Sequence, residues 1–129
     1  MTDTKIMIVE DEAVIAMLLE KLLEVSGYAV AGPVANGGED AIRLAGSESP
    51  DLILMDIRIE GSMDGIDTTI KIHEQYDIPV VFLTAHSDSD TYERAMKTEP
   101  YGFLLKPLRR DELKSAIDTA IQKHEGGSL

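Results

Sequence analysis

Asp51-Leu52-Ile53-Leu54-Met55-Asp56 decides the fold. Four large apolar residues run without a break and end in a carboxylate. A strand with one wet face alternates apolar and polar residues. This one does not, so it reads as a strand buried on both faces, as in a parallel sheet covered by helices. Asp56 then falls at the strand's C-terminal end, where open α/β sheets carry their chemistry. Asp is also common in turns that follow strands, so the residue alone is compatible with a capping role.

Similar runs lie on either side. Lys5-Ile6-Met7-Ile8-Val9 reads as a strand and ends directly in Glu10-Asp11-Glu12. Pro79-Val80-Val81-Phe82-Leu83-Thr84 is another unbroken strand, and it ends in a hydroxyl. Phe103-Leu104-Leu105 is the last strand, followed by Lys106-Pro107. Residues 28–34 make a further strand, placed at an edge because Pro33 cannot donate to a ladder.

Helical spacing fills the gaps. Residues 13–26 carry Val14, Leu18, Leu22 and Val25 at intervals of three or four, and Gly27 stops that helix. Residues 39–47 offer Ala41, Ile42, Leu44 and Ala45 for burial. Residues 64–76 place Ile66, Ile70 and His73 on one side. Residues 89–98 form a short helix capped by Ser89 or an adjacent Asp. Residues 110–123 turn Leu113, Ile117, Ala120 and Ile121 inward.

Strand and helix alternate five times with short connections, which predicts right-handed crossovers and a parallel sheet. The expected fold is α/β, a flavodoxin-like doubly wound five-stranded sheet in the order 2-1-3-4-5. Residues 1–125 are expected to be one domain, and 126–129 a frayed tail or the start of a linker.

Composition narrows the function. A chain of 129 residues with 43% hydrophobic and 28% charged residues is that of one globular domain. There is no cysteine, so disulfides and thiolate metal sites are excluded, as in many cytoplasmic proteins. The N-terminus lacks the basic and apolar regions of a signal peptide, and no apolar run is long enough to cross a bilayer. A net charge of −12 argues against binding nucleic acid or an anionic membrane surface.

In a parallel sheet the C-terminal strand ends share one edge. Glu10, Asp11, Asp56, Thr84 and Lys106 therefore converge. Adjacent carboxylates repel one another. They suit a divalent cation, and equally an acidic helix N-terminus favoured by the helix dipole. Phosphoryl transfer to Asp56 would use every member. A carboxylate can act as nucleophile and form an aspartyl phosphate. Mg²⁺ (or Mn²⁺) would neutralise both partners, with Asp11 and Asp56 as direct ligands and Glu10 holding a metal-bound water. Lys106 suits one phosphate oxygen as a point charge, and the Thr84 hydroxyl can donate to another.

With these residues in place, the sequence resembles the receiver domain of two-component response regulators. The resemblance rests on Ile8-Val9-Glu10-Asp11-Glu12, Leu54-Met55-Asp56-Ile57, Met63-Asp64-Gly65, Leu83-Thr84-Ala85 and Phe103-Leu104-Leu105-Lys106-Pro107, and spans residues 5–123. It implies that Asp56 is the phosphoacceptor and that Glu10, Asp11, Asp56 and the backbone carbonyl of Arg58 hold the metal. It implies that Thr84, Ala85 and Lys106 bind the phosphoryl group and that Phe103 is the switch aromatic, here without a hydroxyl. A cis Lys106-Pro107 bond is also implied. Arg58 and His86, two residues after the acceptor and after the switch hydroxyl, flank the phosphate path, and the bulk of Arg58 is expected to shield the phosphoryl group. The loop after Asp56 departs from the family's common pattern. It lacks a Pro before Met63-Asp64-Gly65 and is one residue longer.

The implied partners are a sensor histidine kinase or phosphotransfer protein and an effector, the latter in a longer chain or separate. The resemblance also allows a homodimer through the fourth helix, fifth strand and fifth helix. It implies a switch that catalyses only its own phosphorylation and dephosphorylation, not an enzyme. Three rivals remain. A degenerate receiver would act as a scaffold and never be phosphorylated. A haloacid-dehalogenase-type enzyme needs a second Asp two residues after the nucleophile, where this chain has Arg58. A flavodoxin needs phosphate-binding donors after the first strand, where this chain is acidic. His86 is read as a solvated loop histidine rather than a phosphohistidine, and His73 and His124 likewise as surface groups on helices.

Overall fold

The apolar runs fold as the strands of one sheet. The computed structural model describes residues 4–59, 61–85 and 88–126. The elements in order are β1 (Lys5–Val9), α1 (Ala13–Val25), β2 (Ala29–Val30), α2 (Gly38–Glu48), β3 (Leu52–Asp56), α3 (Gly65–His73), β4 (Val80–Thr84), α4 (Ser89–Met96), β5 (Gly102–Leu105) and α5 (Arg110–Gly126). All strand pairs are parallel, in the order β2-β1-β3-β4-β5. This is the expected flavodoxin-like topology. Every residue of β3 and of β4 is buried, as their unbroken apolar runs required.

Successive strand side chains point to opposite faces, and the two faces bury against different helices. Met7, Val9, Ile53, Met55, Val80 and Phe82 pack with α2, α3 and Ala95 of α4. Ile6, Ile8, Leu52, Leu54, Val81 and Leu83 pack with Leu19 and Leu23 of α1 and with Leu113, Ile117 and Ala120 of α5. Each large side chain fully buried this way contributes roughly 1.5–3 kcal/mol from removal of apolar surface from water.

Two helices turn a face to the core other than the one their spacing predicted. In α1 the buried residues are Ala16, Leu19 and Leu23. Val14, Leu18 and Val25 are 80%, 50% and 49% exposed, while Leu22 packs at the margin of the core. The helix is apolar on more than one side, so spacing alone admits two stripes, and packing on the sheet chooses between them. In α3, Ile66 and Ile72 are buried while Ile70 and His73 are exposed. Thr68 and Thr69 join the buried face because their hydroxyls donate to the carbonyls of Asp64 and Gly65, each at 2.8 Å. A satisfied hydroxyl can be buried at little cost, and a purely apolar pattern does not register it.

Boundaries also moved. The second strand is two residues, not seven, because the chain turns at Gly32, with φ of 68°, and at Pro33. Pairing resumes only as a bridge between Val9 and Ala35. The last helix extends through Glu125 to Gly126, beyond the expected end at Lys123. Residues 127–129 of the predicted tail lie outside the described residues. Among the described residues no helix is long and apolar enough to cross a membrane.

Two glycines are required by geometry. Gly27 has φ of 93° and closes α1, with its N–H donating to Glu24 and that of Tyr28 to Leu23. Gly65 begins α3 directly against the end of β3. Its N–H donates to the Ile57 carbonyl at 2.7 Å, and a Cβ there would stand 2.1 Å from the carbonyl oxygen of Asp56. That neighbour is backbone and cannot swing aside. Gly65→Ala is therefore expected to cost about 3 kcal/mol in urea unfolding. A loss below about 1 kcal/mol would mean that the α3 start lifts away from the sheet freely.

Candidate functional site

The parallel register sets the C-terminal strand ends side by side. Val9 lies opposite Met55, Asp56 opposite Leu83, and Thr84 opposite Leu105. Glu10, Asp56, Thr84 and Lys106 therefore occupy one edge, as the topology predicted.

Each side chain is held by its neighbours. The Glu10 backbone N–H donates to the Ala35 carbonyl at 2.9 Å, which ties the strand end to the returning edge. One Glu10 oxygen (Oε2) accepts from the Glu12 N–H at 3.2 Å. The other, Oε1, accepts from Lys106 Nζ at 2.9 Å. Asp56 Oδ2 accepts from the same ammonium at 3.1 Å, and Oδ1 from the Arg58 N–H at 3.2 Å. Glu10 and Asp56 are 2% and 4% exposed. Lys106 N–H donates to the Thr84 carbonyl at 2.8 Å, and the Lys106-Pro107 bond is cis, as the resemblance implied.

Burial, and then the adjacent Asp56, push the Glu10 carboxyl above its ordinary range despite Lys106. Burial opposes the Lys106 charge, but the hydrogen bonds and charges of Glu10 and Asp56 outweigh it and hold the ammonium above its ordinary range. One carboxylate oxygen from each of Glu10, Asp11 and Asp56 lies within 4.8 Å of the others. Three hard oxygen donors at that separation, two of them buried, fit a small divalent cation better than they fit one another.

Other predicted residues fall around this centre. Thr84 is 2% exposed, and Ala85 beside it is exposed. Arg58 is exposed, and its charge acts on Asp88 at the start of α4. The Phe103 ring lies edge-on between Phe82, at 6.3 Å, and Tyr92, at 5.2 Å. His86 lies outside the described residues. His73 places Nε2 3.0 Å from the Ile78 carbonyl, and His124 Nε2 is 3.1 Å from an Asp77 carboxylate oxygen. His73 is exposed, in keeping with its reading as a surface group, whereas His124 is half-buried with its ring packed edge-on to Tyr101. The short fourth helix is capped by Asp88, whose Oδ1 accepts from the Thr91 N–H at 2.9 Å.

Sequence reasoning missed Arg94. Its guanidinium contacts Asp64 and Asp67, 30 and 27 residues earlier. No local pattern marks such a pair.

The acid–ammonium cluster has measurable consequences. A carboxyl whose folded pKa is raised stabilises the fold below its unfolded pKa, and that contribution is lost as pH rises through the folded value. In metal-free urea unfolding, Glu10→Gln should therefore gain on the native chain as pH rises from about 4 to about 7. A flat difference would mean that the acid pair carries no strain. The raised Lys106 pKa means its contribution is fully present below the ordinary lysine range. Lys106→Met should cost about 3 kcal/mol at neutral pH, by leaving two buried acids without a cation. The loss should shrink in acid, where Glu10 takes up a proton.

Comparison with known proteins agrees with this geometry. Residues 6–118 match the family model described as the response regulator receiver domain. The transcriptional regulatory protein PdtaR of Mycobacterium tuberculosis is 37% identical over 119 residues, which is 92% of this chain and 57% of that protein. The regulatory protein LuxO of Vibrio cholerae is 37% identical over 116 residues, 89% of this chain and 25% of that protein. The chain thus spans little more than half, or less, of the length of these relatives. The signal receiver domain of a modulated diguanylate cyclase from Desulfovibrio desulfuricans superposes with a TM-score of 0.90 at 36% identity, covering 96% of this chain and 98% of that one. With its fold, its strand-end acids and lysine, and a family match over most of its length, the chain belongs to the response regulator receiver domains of two-component systems.

Proposed function

We propose that this chain accepts a phosphoryl group on Asp56 from the phosphohistidine of a sensor kinase or phosphotransfer protein. The observation that supports it most is the setting of the Asp56 carboxylate. It is buried at the sheet edge, oriented by the Arg58 N–H and Lys106, and faces two further acids. In the transfer an Asp56 oxygen attacks phosphorus. The P–N bond breaks, its electron pair leaves with the imidazole nitrogen, and a P–O bond forms.

Glu10, Asp11 and Asp56, with the Arg58 carbonyl, would hold Mg²⁺, which supplies charge neutralisation and orients phosphate oxygens. Lys106, now bridging Glu10 and Asp56, is placed to turn to a phosphate oxygen once Asp56 is esterified. Thr84, with the Ala85 N–H beside it, is the second contact. Movement of Thr84 toward the phosphoryl group would draw Phe103 inward and reset the surface of α4, β5 and α5. Phosphorylation acts here as a population shift between two conformations. Arg58 and His86, two residues after Asp56 and after Thr84 in the sequence, tune the lifetime of the phosphoryl group. The reaction is self-catalysed, with no further substrate turned over. The setting is cytoplasmic, and the output is delivered by an effector. A homodimer through the α4, β5 and α5 surface is one form that output can take.

The decisive test is intact mass after incubation with Mg²⁺ and acetyl phosphate. One added phosphoryl group is expected, absent in Asp56→Asn and with EDTA. No adduct, together with no binding of beryllofluoride, would replace this reading with that of an unphosphorylated scaffold.

A further inference from the structure

The fourth helix is the least embedded of the five helices. Of its eight residues only Ala95 is buried. Tyr92 leans on Phe103 but remains 45% exposed. What fastens the helix laterally is Arg94. Its Nη1 lies 3.0 Å from Asp64 Oδ2, and its Nη2 3.3 Å from Asp67 Oδ1.

These two acids are not ordinary surface groups. They form the capping box of α3. Asp64 Oδ1 accepts from the Asp67 N–H at 2.9 Å, and Asp67 Oδ2 from the Asp64 N–H at 3.4 Å. The box leaves Asp64 Oδ2 and Asp67 Oδ1 turned toward Arg94, so the guanidinium meets carboxylates already oriented. The segment they cap is seated on the acceptor strand through Gly65 and the Asp56 carbonyl. A continuous path therefore runs from the Asp56 backbone through Gly65, Asp64 and Arg94 to α4. It does not pass through Thr84 or Phe103.

We propose that Arg94 is a positioning residue of the switch, a clamp that ties α4 to the segment leaving Asp56 and holds the helix in the arrangement in which the Asp56 carboxylate is paired with Lys106. The proposal rests on the phosphoacceptor reading and adds to it a second route by which α4 is restrained. Because the clamp's side chains are partly exposed, salt weakens it. By linkage, a contact that favours this arrangement over the one with Asp56 occupied must oppose phosphoryl-mimic binding by the same factor.

Hydrogen exchange and beryllofluoride titration with Mg²⁺ test this on the native chain, Arg94→Ala and Arg94→Lys, at low and high salt. Arg94→Ala should exchange the α4 amides about fivefold faster, with β3 and α5 unchanged, and should bind beryllofluoride tighter by a similar factor. Arg94→Lys keeps the charge but loses the two-pronged contact and should fall between. High salt should bring the native chain toward Arg94→Ala. Faster α4 exchange with unchanged affinity would overturn the coupling and leave Arg94 a merely structural contact. Unchanged exchange and affinity would overturn the clamp itself while leaving the acceptor chemistry standing. If the native chain binds no beryllofluoride, the acceptor reading falls and the coupling falls with it, whatever the exchange rates.

Discussion

The Lys106 ammonium lies 2.9 Å from a Glu10 oxygen and 3.1 Å from an Asp56 oxygen, in a corner where both acids are almost wholly buried. Moving charges of this kind out of water costs several kcal/mol each, and mutual attraction recovers that only when the geometry is good. Here one cation serves two acids, and a third acid, Asp11, stands within ligand distance of both. The raised pKa of Glu10 registers the mismatch. A structural ion pair would be better balanced. Three acids against one ammonium leave negative charge at the sheet edge that a divalent cation could neutralise.

The backbone supports that corner at several points. The Ala35 carbonyl holds the N–H of Glu10, the Thr84 carbonyl that of Lys106, and the Ile57 carbonyl that of Gly65. Glu10, Lys106 and the start of α3 are thus fastened to the backbone at Ala35, at the end of β4 and just after Asp56. The charged cluster is pre-organised by these backbone contacts, at a cost in stability that the two apolar layers offset.

The two layers are unequal in how firmly they hold their helices. α1 and α5 bury Leu19, Leu23, Leu113 and Ile117 against one face. On the other face α4 contributes only Ala95. An element held by so little apolar contact sits at the low end of local stability, where moving parts of a protein are drawn from. That weakness adjoins Phe103 and Tyr92, so the ring pair and the Arg94 contact decide where the helix rests.

Much of this was legible in the chain. Unbroken apolar runs ending in Asp56, Thr84 and Glu10 report burial on both sheet faces, because a strand covered by helices has no wet side to record. Their alternation with helical segments dictates parallel topology, and parallel topology brings strand-end residues together without further information. The cluster of acids with Lys106 followed from sequence for that reason. What tertiary structure alone decided is rotation, register and long-range contact. Apolar residues on several sides of α1 left its buried stripe open until the sheet selected Leu19 and Leu23 over Val14 and Leu18. Thr68 and Thr69 could be buried only because local carbonyls satisfy them. Arg94 meets Asp64 and Asp67 across about thirty residues, and no local periodicity encodes a contact whose partners are brought together only by the packing of α3 and α4 on one face of the sheet.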